Sequence, residues 1–305
     1  MHPLAGVYTA VVTPLKPDFS PDLEAIPSLL AFLAGRGSHG VLMLGTTGEG
    51  PSFSPEERLA ILRMAVQARS EQGHGQDNAY KILAGTGTPS LTETISLTRS
   101  AFDLGCEGVI VLPPYFFRKA TEDGLFRYFS ELIHRAVPID GFLLGYHIPG
   151  TAGIGFPPDL LRRLKNAFPL QFAGIKDSSH DVEFARQLGD RFGADLLVLT
   201  GTDSLFQVAL DNHAQGCITA LANLISPELR KVWDAFQHGE KVSTFQRHIT
   251  EIRQILEKYP PFPPMLKALL AKQYGFPHWP VRPPLDEALP DAVENVMKES
   301  MEISL

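Results

Sequence analysis

The chain has 305 residues, of which 44% are apolar and 20% are charged, and it carries a formal net charge of −7. This composition excludes a largely disordered chain, and the scattered basic residues argue against a nucleic acid partner. Two cysteines are too few for a secreted protein of this size held together by disulfides, and no stretch of about 18 apolar residues predicts a membrane span. We therefore expect a soluble cytoplasmic protein with neither a membrane partner nor a nucleic acid partner.

Short apolar runs, each too short for a helix, recur along the chain and predict eight β-strands. They cover residues 8–13, 40–44, 81–85, 108–112, 141–146, 172–176, 196–201 and 216–220. Helical segments lie between them, and two begin with capping patterns, Ser54 with Glu57 and Ser90 with Glu93. Strands that are apolar throughout are typical of parallel strands covered by helices on both faces. The sequence therefore predicts an α/β fold, a closed TIM (β/α)8 barrel, with an open doubly wound sheet as the alternative.

After the eighth strand the pattern changes to helices separated by proline-rich stretches. One helix is predicted to open at Ser226 and Pro227, and others cover residues 241–259, 264–274 and 286–301. No flexible Gly/Ser-rich linker precedes them, so we expect them to pack on the barrel. This divides the chain into a barrel, residues 1–225, and a C-terminal helical region, residues 226–305.

In a βα barrel the reacting groups come from the carboxyl ends of the strands, where all eight elements converge. These ends carry mostly hydroxyl side chains and one lysine, Lys176. Burial disfavours the charged form of a lysine, and the neutral amine is the form that attacks a carbonyl. Lys176 is therefore a candidate Schiff-base residue; the alternative is that it reaches solvent or pairs with Asp177.

Two further features lie at the same predicted rim. Tyr146 ends the strand before that of Lys176, so its phenol can carry protons at a shared substrate. The loop Gly45-Thr46-Thr47-Gly48-Glu49-Gly50 follows the second strand, and its N–H groups and hydroxyls can converge on a carboxylate. Each feature alone has a simpler explanation. For Tyr146 it is an ordinary interfacial tyrosine, and for the loop it is a simple tight turn.

Other candidates have structural interpretations. The ten histidines show no metal-binding spacing, so we expect no metal. His147 faces away from the barrel interior if Tyr146 faces inward, which indicates a structural role. Cys106 and Cys217 lie in apolar stretches and are expected to be small buried side chains.

The sequence resembles the dihydrodipicolinate synthase and N-acetylneuraminate lyase family of pyruvate-dependent class I aldolases. Three motifs carry the resemblance, and with the helical tail they extend it over nearly the whole chain. The motifs are Gly45-Thr46-Thr47-Gly48-Glu49, Tyr146-His147-Ile148-Pro149 with Gly153, and Gly174-Ile175-Lys176-Asp177.

The resemblance implies a TIM barrel in which Lys176 forms an imine with pyruvate or another 2-oxo acid, so that no separate cofactor is needed. It implies that Tyr146 carries protons and that Thr46 and Thr47, beside Gly45, hold the substrate carboxylate. It also implies a homo-oligomer, a tetramer or a dimer. Two further pocket residues follow from it, Gly201 and Ile218.

Departures from the family pattern point to the substrate. Thr151 stands where the synthases carry an arginine that binds the aldehyde substrate's carboxylate, and a hydroxyl cannot replace a bidentate cation. Phe116, next to Tyr115, stands where a neighbouring subunit's tyrosine completes a proton relay, and we expect both to contact substrate. Ser178 and its neighbours after Lys176 resemble the sugar-acid aldolases. We therefore expect retro-aldol cleavage, or dehydration, of a 2-oxo-3-deoxy sugar acid.

Two other functions stay open from the sequence. The first is dihydrodipicolinate synthase activity, the condensation of pyruvate with aspartate semialdehyde, despite Thr151. The second is a non-catalytic barrel that binds a 2-oxo acid, which the loss of the relay tyrosine at Phe116 would fit.

Overall fold

The protein is described by a computed structural model covering residues 1–71 and 80–303. Within those residues eight parallel strands close into one barrel in chain order. This confirms the predicted TIM barrel over the open sheet. The strands are β1 (Gly6–Ala10), β2 (Gly40–Met43), β3 (Lys81–Gly85), β4 (Gly108–Val111), β5 (Phe142–His147), β6 (Phe172–Asp177), β7 (Leu197–Thr200) and β8 (Gly216–Thr219).

Helices follow the strands on the outside of the barrel, and three more form the C-terminal part. Ser54 and Glu57 form the predicted reciprocal cap, and the Ser90 hydroxyl accepts from the Glu93 N–H. The helices are α1 (Ile26–Gly35), α2 (Pro55–Glu71), α3 (Leu91–Leu104), α4 (Glu122–Ala136), α5 (Pro149–Ala152), α6 (Pro158–Ala167), α7 (Val182–Phe192), α8 (Phe206–Asp211), α9 (Ala222–Gln237), α10 (Ser243–Glu257), α11 (Phe262–Tyr274) and α12 (Pro290–Ile303).

Two apolar cores explain why the strands carry so few polar residues. A smaller core fills the barrel interior and includes Tyr8, Leu144 and Ile218. A larger core lies between the strands and the helices and includes Val109 and Ile175. Since both faces of each strand are buried, polar side chains that must meet a ligand are displaced to the strand ends.

The first strand differs from its prediction, because β1 ends at Ala10 rather than at residue 13. The Val12 N–H donates to the Asn223 side chain at 3.2 Å, and the Thr13 hydroxyl donates to the Gly48 carbonyl at 2.7 Å. These groups therefore anchor the strand end to the start of helix α9 and to the loop after β2 instead of extending the ladder.

The C-terminal helices pack on the barrel's outer layer, as expected. Helix α9 contacts β1 and β8, α10 packs on α8 and α9, and α11 packs on α9. Helix α9 is kinked at Ile225, where the backbone leaves helical geometry, so Pro227 lies in the first turn of its straight part. The boundary proposed after residue 225 falls at this kink, and the division into two regions stays a prediction.

Two other expectations concern the cysteines and membrane-spanning segments. Cys106 and Cys217 are both buried and unpaired, which confirms them as small core side chains. Along residues 1–71 and 80–303, no helix has the combination of length and apolar character that crossing a membrane requires.

Candidate active site

Lys176 and Tyr146 are brought together by the pairing of β5 with β6. The two residues are partners in the parallel register, and both side chains are buried at the carboxyl end of the barrel. The Lys176 Nζ lies 4.1 Å from the centroid of the Tyr146 ring. Asp177 does not pair with this lysine: its carboxylate accepts from the Ser179 N–H at 3.0 Å. Lys176 is 3% exposed, so the alternative of a solvent-facing lysine does not fit the structure.

The Tyr146 hydroxyl lies 3.2 Å from the Thr46 hydroxyl. Burial on its own raises the pKa of Tyr146, because it disfavours the phenolate. The charge of Lys176, together with hydrogen bonds to Thr46, Lys176 and Ser178, outweighs burial and holds the pKa of Tyr146 below its ordinary value. A phenol in this setting exchanges its proton more readily than a free tyrosine does.

The loop that carries Thr46 is fixed by its own hydrogen bonds. The Glu49 N–H donates to the Thr46 carbonyl and the Gly50 N–H donates to the Gly45 carbonyl, each at 3.1 Å. A Cβ on Gly48 would lie 2.7 Å from the Val11 carbonyl oxygen, so only glycine fits at this approach. The backbone N–H groups of Thr46 and Thr47 find no acceptor within the described part of the chain. These N–H groups and the two hydroxyls are therefore available to an anion.

A cavity of about 310 Å³ lies in front of these residues. It brings together seven of the ten residues that the sequence singled out: Thr46, Thr47, Tyr146, Thr151, Lys176, Gly201 and Ile218. Gly45 instead lines a smaller neighbouring cavity beside Thr46. Tyr115 and Phe116 line neither cavity, and their predicted contact with substrate stays a prediction.

Comparison with known proteins identifies the family of this chain. A sequence model of the dihydrodipicolinate synthetase family matches residues 3–302. The chain belongs to this family. Its predicted enzyme class, a carbon–carbon or carbon–oxygen lyase of the class I aldolase type, is thereby confirmed.

Individual relatives cover almost the whole chain. An uncharacterized DapA-like lyase of Chloroflexus aurantiacus is 38% identical over 281 residues, covering 92% of this chain and 90% of the relative. A 4-hydroxy-tetrahydrodipicolinate synthase of Thermus thermophilus is 35% identical over 280 residues, covering 91% and 89%. The solved structure of YagE, an E. coli K12 prophage protein of the dihydrodipicolinic acid synthase family in complex with pyruvate, matches with a TM-score of 0.90. That match has 25% identity and covers 100% of both chains.

Part of the cavity wall in this family member comes from the C-terminal helical region, a contribution that the sequence did not predict. Arg253 on α10 lines it together with His180 and the segment 260–263. The Arg253 Nη1 donates to Asp203 at 2.7 Å, its Nε donates to Glu257 at 2.7 Å, and its guanidinium lies 4.4 Å from the Phe262 ring centroid. No sequence spacing connects α10 with Lys176, so only the packed fold reveals this contribution.

Two histidines lie close to the candidate site, His147 next to Tyr146 and His180 in the cavity wall. The His147 Nδ1 accepts from the Phe156 N–H at 2.8 Å and its ring stacks on Phe184, which confirms the outward, structural placement. Burial lowers the pKa of His147 to about 4, although Asp181 opposes it. Burial and then Arg253 also lower the pKa of His180. In the described residues, no group of three or more His, Cys, Asp or Glu side chains is placed to hold a metal.

Phe116 and Phe117 lie outside the site on the surface of the single chain. They are 75% and 69% exposed, and their rings pack edge to face with centroids 5.3 Å apart. Such an exposed aromatic pair is typical of a surface that another protein covers. The homo-oligomer that the sequence predicts would fit this placement and stays a prediction.

Proposed function

We propose that the protein is a Schiff-base-forming lyase that cleaves or dehydrates a 2-oxo-3-deoxy sugar acid through Lys176. One observation carries the proposal: a buried lysine amine lies against the ring of Tyr146, whose hydroxyl meets that of Thr46 in one cavity. An amine, a proton carrier and an anion-binding loop are the groups that imine chemistry on a 2-oxo acid requires. The reaction needs no separate cofactor.

The imine forms when the neutral amine of Lys176 attacks C2 of the 2-oxo acid. The C2 oxygen takes up protons and leaves as water, so the nitrogen becomes bonded to C2 as a protonated imine. Tyr146 is placed to move those protons, because its hydroxyl is held by Thr46 beside the lysine. The resulting iminium accepts electrons from the neighbouring carbon, which is the source of the catalysis.

Bond cleavage then follows from the position of a hydroxyl on C4. Removal of the proton from that hydroxyl breaks the C3–C4 bond, releases an aldehyde and leaves the electron pair in an enamine. Proton return to C3 and hydrolysis of the imine release pyruvate. Dehydration uses the same iminium: C3 loses a proton to give the enamine, which expels the C4 hydroxyl as water. In both routes Tyr146 serves as the proton carrier.

The carboxylate of the substrate is assigned to the loop of Thr46 and Thr47. Their backbone N–H groups are unused by the described part of the chain, and their side chains line the cavity. Hydrogen bonds from fixed donors to an anion are stronger than neutral ones, and they place C2 in front of Lys176.

The part of the cavity wall formed by Arg253 and Thr151 supports a hydroxylated substrate tail. Arg253 is the cation there, but Asp203 and Glu257 both pair with it, so the cluster offers donors without an excess of positive charge. Thr151 adds a hydroxyl where the synthases carry an arginine. A second carboxylate would meet two carboxylates already paired with one guanidinium, whereas hydroxyl groups can both donate and accept.

Replacing Arg253 with lysine is expected to raise the KM for a 2-oxo-3-deoxy sugar acid by about tenfold, because a guanidinium N–H contact is lost. The pyruvate concentration that half-saturates borohydride trapping should stay unchanged, since the described contacts of Arg253 are with Asp203, Glu257 and Phe262 and not with the loop of Thr46 and Thr47. Arg230→Lys is the matched control, because Arg230 also pairs four residues ahead, with Asp234, outside the cavity. An unchanged sugar-acid KM in the Arg253 variant would remove this residue from substrate recognition.

A second candidate function is favoured by the relatives. The Thermus thermophilus relative is named a 4-hydroxy-tetrahydrodipicolinate synthase, so condensation of pyruvate with aspartate semialdehyde must be tested alongside. Purified protein is given a panel of 2-oxo-3-deoxy sugar acids, with cleavage followed as pyruvate release by a coupled dehydrogenase and dehydration followed as the loss of one water from the mass of the sugar acid. A parallel assay offers pyruvate and aspartate semialdehyde. We expect cleavage or dehydration of a sugar acid to be the faster reaction by kcat/KM.

The same assays separate the remaining possibilities. A faster condensation with aspartate semialdehyde would assign the synthase activity instead. An imine with pyruvate and no turnover of any offered substrate would favour the non-catalytic binding barrel.

A further inference from the structure

A fully buried ion pair lies behind the candidate carboxylate-binding loop. The Lys267 Nζ, from α11 in the C-terminal region, donates to the Glu49 carboxylate at 2.5 Å. The two side chains are 1% and 0% exposed. Glu49 follows Thr46 and Thr47 in the same loop, with its backbone in the left-handed region at φ 55°.

Both partners of this ion pair make a second bond to one C-terminal segment. The other Glu49 oxygen accepts from the backbone N–H of Arg282 at 2.8 Å. The Lys267 ammonium also donates to the Pro280 carbonyl at 2.7 Å. Residues far apart in sequence therefore converge on the carboxylate of one loop residue.

The side chain of Arg282 fastens that segment from outside. Its Nη1 donates to the Ser52 carbonyl at 2.6 Å, its Nε donates to the Phe19 carbonyl at 3.0 Å, and its guanidinium pairs with Glu57. The side chain of Arg282 therefore links the C-terminal segment to Ser52 and Glu57, which follow the loop of Thr46 and Thr47 in the sequence.

The energetics of such a pair favour a role in geometry rather than in stability. Desolvation offsets much of the attraction in a buried ion pair, so apolar side chains of similar size would often stabilise a fold equally well. What the pair supplies is one defined position for Glu49. The loop leads from Glu49 back to Thr47 and Thr46 through Gly48, and the Glu49 N–H itself binds the Thr46 carbonyl.

We propose that Lys267 is a positioning residue for substrate binding: by holding Glu49, it fixes the N–H groups and hydroxyls of Thr46 and Thr47 for the substrate carboxylate. The C-terminal region is then part of the carboxylate site although it does not touch the carboxylate. This inference rests on the proposed imine chemistry with a 2-oxo acid.

The test uses Lys267→Met in the full chain, with pyruvate and borohydride as the probe of the site. We expect the pyruvate concentration that gives half-maximal trapping to rise at least about tenfold, because the anion's donors are no longer fixed. The adduct at saturating pyruvate should still map to Lys176, since the lysine itself is unaltered. This separation of affinity from reactivity is a result that a purely structural role would not produce.

Glu107→Gln is the matched control for lost stability. Glu107 pairs with Arg69 and accepts from the Ile82 N–H at 2.8 Å, at the amino end of the barrel, away from the cavity. We expect this variant to lower the melting temperature while the half-saturating pyruvate concentration stays at the wild-type value. An equal rise in both variants would show that general loosening, not positioning, weakens pyruvate binding.

The Arg282→Gln variant tests the positioning role of Lys267 if the Lys267→Met variant does not fold. Arg282 is partly exposed, so its loss should be tolerated and should raise the half-saturating concentration in the same direction by a smaller factor, about threefold. Unchanged half-saturation in the folded variants would overturn the positioning role of Lys267. Failure of the wild-type protein to form any adduct would instead contradict the proposed function.

Discussion

Replacing Lys176 with alanine is expected to abolish turnover, lowering kcat by at least about four orders of magnitude, because the nucleophile that forms the imine is lost. Among the described residues Lys176 is the one lysine that lines the cavity, so no other amine there is placed to substitute for it. The loss is measured as pyruvate release from the best sugar-acid substrate. The melting temperature should stay close to wild type, because the alanine side chain fits the same strand.

Lys165→Ala provides the control for this substitution. Lys165 lies on α6, and its ammonium donates to the Pro169 carbonyl at 2.9 Å, outside the cavity. The control variant should keep wild-type kcat. Undiminished pyruvate release by the Lys176 variant would refute the imine mechanism.

Replacing Tyr146 with phenylalanine is expected to lower kcat by roughly 10²- to 10⁴-fold, the range typical of a lost proton-transfer group. The ring stays, so packing inside the barrel and contact with Lys176 are retained, and only the hydroxyl that meets Thr46 is removed. Borohydride trapping at long incubation should still label Lys176. The effect therefore falls on the rate of proton-dependent steps rather than on binding.

The pH profile adds a second readout for the same variant. Because Lys176 and the hydrogen bonds outweigh burial, the pKa of Tyr146 lies below its usual value, so its deprotonation falls at lower pH than for a free tyrosine. The wild-type pH–rate profile should change at the pH where Tyr146 loses its proton. This change should be absent from the profile of the Tyr146→Phe variant. Tyr128→Phe is the control, since its hydroxyl binds Thr94 at 3.0 Å outside the cavity. A Tyr146 variant with the kcat and pH profile of the control would show that another group carries the proton.

The sequence predicted those parts of the fold and of the candidate site that depend on a local pattern of residues. Uniformly apolar runs predicted strands buried on both faces, and their recurrence eight times between helices favoured a closed barrel over an open sheet, as the structure confirms. Once the strands were parallel and adjacent, Tyr146 and Lys176 at their ends had to lie at one height, and the register places them opposite each other. The loop Gly45-Thr46-Thr47-Gly48 was likewise predicted at this rim, and Thr46 and Thr47 line the cavity; their binding of a carboxylate stays a prediction.

What could not be predicted depends on packing between distant segments. Arg253 and Lys267 are ordinary helix residues in the sequence, and their contacts with Asp203 and Glu49 follow only from how α10 and α11 lie on the barrel. The early end of β1 has a similar cause, because the side chain of Asn223 takes the Val12 N–H. Contacts of this kind have no local signal.

The proposed imine is tested most directly by incubating the wild-type protein with pyruvate and borohydride, then measuring intact mass and mapping the labelled peptide. A single adduct located on Lys176 is the predicted result, because the amine, the proton carrier and the anion-binding loop share one cavity. No adduct, or an adduct on a different lysine, would contradict the account.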